Sequence, residues 1–270
     1  MFSPVLLRCS PLDPQPSDGG VSLANVSPHQ LGEPERPRAD AAADAVGGST
    51  TGRAVLPALK PRLRGWLHAG MAPVALVCGI VLVSLSPSQY RWAAGLYSLT
   101  ALMLFGVSAL YHRFTWSPRV TMLLKRLDHS NIFLIIAGSY TPFAVVLLPG
   151  GDERTLLLLV WSGALAGVLF RVFWVRAPRW LYTPIYIALG WVALFYIPEF
   201  WAAGGPAVVI LLLAGGALYS TGGVIYALKR PNPSVAWFGF HEVFHALTIG
   251  GFVTQYVAVS LVIYGARAGS

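Results

Sequence analysis

Charge is scarce in this chain once its first 60 residues are passed, and acid is scarcer still. Only Asp128, Asp152, Glu153, Glu199 and Glu242 are acidic beyond that point, too few to solvate a water-soluble domain of this length. Charged residues are 11% of the 270 and hydrophobic ones 55%, with a mean hydropathy of +0.61. That balance excludes an ordinary soluble enzyme and indicates an integral membrane protein. Cysteine is nearly missing too. Cys9 lies in a Pro-rich stretch and Cys78 in an apolar run, which excludes a disulfide scaffold and a cysteine-based zinc site. The formal charge of +8 raises nucleic acid as a partner, but beyond residue 60 the basic residues are scattered between apolar runs. They form no aromatic-studded patch, and orientation in a membrane accounts for them better.

Residues 1–60 lack a sustained apolar period and are rich in Pro, Ser, Ala, Gly and Asp, as in Ser10-Pro11-Leu12-Asp13-Pro14-Gln15-Pro16. This composition predicts a disordered tail. It does not read as a signal peptide, because Val5-Leu6-Leu7 is too short an apolar core. Residues 61–270 read as the membrane domain. Seven runs there have roughly the 20 residues a helix needs to cross a bilayer, at about 67–86, 92–112, 129–148, 155–175, 181–198, 206–228 and 240–264. Breaker signals separate them, among them Pro118, Pro149-Gly150-Gly151, Pro178 and Gly204-Gly205-Pro206. The expectation is an all-α, seven-transmembrane-helix bundle in the plasma membrane.

Seven spans put the two ends on opposite sides. Arg53, Lys60, Arg62 and Arg64 precede the first run; Arg113, Arg119, Lys125 and Arg126 join the second to the third; Arg171, Arg176 and Arg179 join the fourth to the fifth; Lys229 and Arg230 follow the sixth. The opposite side carries only Arg91, Arg154 and Arg267. The positive-inside rule therefore predicts a cytoplasmic N-terminus and an outside C-terminus.

Polar residues at membrane depth then converge. His241-Glu242-Val243-Phe244-His245 places two imidazoles four apart, on one helical face and about 6 Å from each other. By the same topology His112 ends the second run, Asp128 opens the third, and Ser108 lies one turn deeper than His112 on the same face. His112, His241 and His245 make the three-ligand set of a catalytic zinc site with a fourth position left for water. Asp128 is placed to hold or deprotonate that water, and Ser108 to donate to a ligand or a developing oxyanion. His68 and His129 read as amphipathic end groups. Asp128 has a plainer reading as an acid favoured by a helix N-terminus.

Ser108-Ala109-Leu110-Tyr111-His112, Leu127-Asp128-His129-Ser130 with Ala137-Gly138-Ser139-Tyr140-Thr141-Pro142, and the His241 to His245 segment resemble the haemolysin III branch of the progestin and adipoQ receptor family. The resemblance covers about residues 60–265. It implies a seven-helix bundle with zinc on His112, His241 and His245 near the cytoplasmic face, and Asp128 and Ser108 beside the metal. Many relatives carry a further His where Gln255 stands in this chain. The expected activity is zinc-dependent hydrolysis of a lipid amide or ester, with a membrane lipid as partner. A pore-forming, cytolytic protein is the alternative. A receptor, or an intramembrane metalloprotease using Glu242 as base, follows behind.

Overall fold

A computed structural model describes residues 61–268. The expectation of a disordered tail falls on residues outside that range. Among the described residues every regular element is a helix, and the sole extended pairing is an isolated bridge between Ser234 and Phe238. The α-helices are α1 (Trp66–Leu85), α2 (Arg91–Arg113), α3 (Pro118–Leu147), α4 (Gly150–Phe173), α5 (Arg179–Gly190), α6 (Ile197–Leu228) and α7 (Phe240–Ala268), with a 3-10 segment, Trp191–Tyr196, between α5 and α6. Six stretches are long and apolar enough to cross a membrane. The chain is a multi-pass integral membrane protein.

The fifth of those stretches, Arg179–Leu228, is 50 residues long. Drawn straight it would measure about 75 Å, more than twice the roughly 30 Å of bilayer hydrocarbon. It folds back on itself instead. Arg179 donates from Nη1 to the Tyr226 carbonyl at 3.0 Å, Thr183 and Ile187 lie against Gly223, and Trp191 donates from Nε1 to Ser220 Oγ at 2.8 Å. Rising numbers on one leg meet falling numbers on the other, so the legs are antiparallel. The reversal uses the 3-10 segment and Gly205, whose φ of 78° and ψ of 173° break α6 in a region essentially reserved for glycine.

Two sequence expectations shift in position. The third apolar run spans 129–148, but α3 begins at Pro118, a residue suited to a first helical turn because its missing N–H would have had no partner there. Residues 118–128 are too polar to register as a span, yet they are helical. Asp128 is therefore ten residues inside α3, and the first-turn account of its charge does not apply. Tyr182 lies near a span end in the sequence, as do Trp66, Trp92, Trp180, Trp201 and Trp237, and amphipathic rings there ordinarily meet the headgroup layer; it is only 4% exposed, whereas those Trp side chains are at least half exposed.

One end of the bundle gathers the starts of α1, α3, α5 and α7 with the ends of α2, α4 and α6. Residues 61–65 cross this end as a strap. The Arg62 and Leu63 N–H groups donate to the carbonyls of Ala236 and Trp237 at 2.9 and 3.3 Å, and the Arg62 guanidinium lies 4.6 Å from the centre of the Trp237 ring. Gly65 turns the strap into α1 with φ +81°, and a Cβ there would meet His112 Cβ at 2.7 Å. No other residue can make that turn so close to α2.

Candidate metal centre

Two helices bring the histidines together. His112 is the penultimate residue of α2, while His241 and His245 occupy the first two turns of α7. Their exposures are 8%, 9% and 3%. His112 Nε2 and His241 Nε2 face each other at 3.2 Å, and one ligand atom from each of the three rings lies within 4.8 Å of the others. Two imidazole nitrogens at this separation must share a proton or a cation, since two N–H groups would repel and two lone pairs would gain nothing. Tetrahedral zinc with Zn–N bonds of 2.0–2.1 Å separates its nitrogens by about 3.3 Å. The His112–His241 distance meets that value, and a nitrogen of the third ring lies within 4.8 Å of both. The donor set fits a borderline-soft divalent metal.

Asp128 approaches from α3. Its Oδ2 is 3.8 Å from His112 Nε2 and 3.6 Å from His129 Nδ1, with the side chain 13% exposed. Ser108 is 2% exposed and lies beside the Asp128 carboxylate without the geometry of a full hydrogen bond. The five residues singled out in the sequence are thus brought to one place.

Glu242 faces elsewhere. It is 1% exposed, forms an ion pair through Oε1 with Arg64 Nε of the strap, and accepts the Gly239 N–H on Oε2 at 2.9 Å. Both oxygens are engaged in capping α7 and tying down the strap. Asn232 Oδ1 accepts the Phe240 N–H at 2.9 Å and completes the cap.

An elongated, largely apolar cavity leads away from the histidines between α2, α3, α5, α6 and α7. Its α3 wall runs from Asp128 to Phe143 and its α7 wall from His241 to Gln255, roughly 21 Å of helix in each case. Ile132, Ile135, Ile136, Leu212 and Phe244 give it hydrocarbon walls. Gln255 closes one wall, 8% exposed, and donates to the Leu212 carbonyl at 3.2 Å. Tyr226 adds its ring 5.6 Å from His241 and its hydroxyl 3.3 Å from His129 Nε2, while His129 Nδ1 contacts the Lys125 carbonyl at 2.8 Å.

Sequence reasoning misses three members of this site. His68 and His129 are not end groups: both line the cavity, and His68 stacks on His245 with ring centroids 3.7 Å apart and planes 8° apart. Tyr226 is the third. The depth argument that selects His241 could have selected His68, which is the third residue of α1 at the same end of the bundle. Nothing local marks Tyr226, whose role comes from the packing of α6 on α3 and α7.

Residues 57–256 match the family described as Haemolysin-III related. The chain is 33% identical over 206 residues to the hemolysin-3 homolog of Bacillus subtilis (strain 168), covering 74% of this chain and 93% of the relative. It is 28% identical over 206 residues to the hemolysin-3 of Bacillus cereus, covering 74% of this chain and 91% of that protein.

Proposed function

The chain belongs to the haemolysin III branch of the progestin and adipoQ receptor family, and from that premise we propose that it is a zinc-dependent hydrolase of lipid amide or ester bonds. The observation that carries this reading is the pair of imidazole nitrogens facing each other at 3.2 Å, with a third histidine beside them, at the polar end of an apolar cavity. His112, His241 and His245 are the ligands. When bound, zinc supplies a Lewis acid that polarises a carbonyl and makes water acidic near neutral pH. Asp128 would orient the attacking water, take its proton and return it to the amine or alkoxide released as the C–N or C–O bond breaks, and Ser108 would donate to the charge developing on the carbonyl oxygen. The cavity holds the acyl chain and excludes bulk water.

The same proposal includes the topology. The hairpin within residues 179–228 supports seven crossings, because its two legs each suffice for one. The basic residues gathered at the strap end support a cytoplasmic side for that end and for the metal, with residues 61–270 as the membrane domain. Elemental mass spectrometry of the detergent-purified protein tests the centre. Near-stoichiometric zinc in the parent, lost in each of His112→Ala, His241→Ala and His245→Ala, is the expected result. Retention of zinc in all three variants, or its absence from folded parent, sinks the mechanism.

The second reading, a pore-forming cytolytic protein, is favoured by the name hemolysin-3 that the Bacillus cereus relative carries. Purified protein that releases a trapped dye from vesicles but hydrolyses no lipid amide or ester would move that reading to the front.

A further inference from the structure

His68 is used by neither the metal centre nor the hydrolytic roles above. It is 2% exposed, it lines the cavity, and neither Nδ1 nor Nε2 makes a hydrogen bond of ordinary geometry. Its position is well fixed: one face stacks on His245 at 3.7 Å, and Phe105 meets it edge-on with centroids 5.0 Å apart and planes at 87°.

The stack decides what His68 does not do. The lone pair and the N–H of an imidazole lie in the plane of its ring, so a metal held by a histidine lies in that plane. The His68 and His245 planes are only 8° from parallel and are set apart by the stacking distance, so one ion cannot lie in both. Accordingly His68 does not belong to the group of three whose ligand atoms converge.

A buried neutral imidazole still carries one donor and one acceptor, and leaving both unmatched in an apolar surround is costly. Ser108 and Asp128, which lie beside each other, line the same polar end of the cavity. A fixed imidazole with no ordinary hydrogen bond, at the polar end of a hydrocarbon-walled cavity, calls for an occupant with a polar head and an apolar tail.

We propose that His68 is a specificity-determining residue that hydrogen-bonds the polar head of the lipid in this cavity while remaining outside the metal's ligand set. The proposal rests on the lipid-hydrolase reading for its ligand class but needs binding alone, not turnover. Its test uses the full-length protein with His68→Phe, which keeps a flat ring on His245, and His68→Asn, which keeps a donor and an acceptor. A long-chain fatty amide and the matched hydrocarbon without the amide are titrated against each. Metal content is measured in parallel, with the visible spectrum of the Co2+-loaded protein as a report on the ligand set.

His68→Phe is expected to weaken amide binding about tenfold, the worth of one buried hydrogen bond. It should leave hydrocarbon binding, metal content and the Co2+ spectrum unchanged, and His68→Asn should recover part of the loss. Loss of metal or an altered Co2+ spectrum in His68→Phe would make His68 a ligand and overturn the proposal. So would amide binding equal to the parent's, which would reduce His68 to packing, or a parent that does not bind the amide. If His68→Phe fails to fold, the same comparison in His68→Asn and His68→Leu decides, because only the former retains the polar atoms. Absence of hydrolysis by the parent would count against the hydrolase reading while leaving this binding comparison readable.

Discussion

Replacing Glu242 with Gln separates two roles that the His-Glu-x-x-His pattern confounds. Gln is nearly isosteric and can still accept the Gly239 N–H, so the change removes the charge shared with Arg64 and little else. A charge-assisted hydrogen bond contributes about 1.5–3 kcal/mol and a neutral one about 0.5–1.5 kcal/mol. Arg64 keeps 19% of its side-chain surface exposed and can be hydrated once the acid is gone, which sets the cost of Glu242→Gln near the low end, about 1 kcal/mol. Arg64→Ala is worse, because it leaves a carboxylate that is 1% exposed with one backbone N–H for company; about 3 kcal/mol follows. At roughly 2–4 °C per kcal/mol for a domain of this size, melting followed by tryptophan fluorescence should fall by about 2–4 °C and about 6–12 °C respectively. Zinc content should be unchanged in Glu242→Gln. An unshifted melting temperature together with abolished lipid hydrolysis would refute this reasoning and make Glu242 the general base of that reaction. Equal destabilisation by the two variants would refute the burial argument.

Other outcomes follow from the geometry. Asp128→Ala should retain zinc but lower hydrolysis of a lipid amide by about 10²-fold or more, the usual worth of a positioned base; loss of metal in this variant would make Asp128 a ligand. Gly167→Ala places a Cβ 2.4 Å from two ring carbons of Phe133 and should destabilise by about 1–3 kcal/mol. Gly216→Ala, whose Cβ would meet the Trp191 ring at 3.8 Å, serves as the neutral control in the same melting assay. Gly205→Ala, at φ +78°, should cost about 1–3 kcal/mol through backbone strain; no effect would argue against the reversal there. With Cys9 and Cys78 replaced by Ser, an impermeant maleimide should label Asp152→Cys in intact cells and Lys229→Cys only after lysis. The opposite pattern would invert the topology.

The group of three histidines is legible in the sequence because two independent regularities agree. An i, i+4 pair of histidines fixes a helical face, and the alternation of apolar runs puts His112 and Asp128 at the same end of the bundle as that pair. Neither depends on tertiary detail. The stack of His68 on His245 is illegible for the opposite reason: it joins α1 to α7 across 177 residues, and a single His near a helix start has many ordinary explanations. The onset of α3 is misplaced by hydropathy because hydropathy measures lipid exposure rather than helicity, and Pro118 to Asp128 is helical without being lipid-grade. Gly204-Gly205-Pro206 correctly signals a break. What the signal cannot convey is that helical backbone continues up to Gly205 on both sides, so that one strained residue takes the place of an ordinary loop.

The strap also sets where the protein can be cut. Helix α1 begins at Trp66, and a truncation designed on helix limits would start there. Such a protein would lose the Gly65 backbone behind His112, the Arg64 partner of Glu242 and the two backbone hydrogen bonds to residues 236 and 237. Each of these backs one of the three clustered histidines or the helix turn that carries two of them. The minimal membrane unit for expression and crystallisation therefore has to include Pro61 to Gly65.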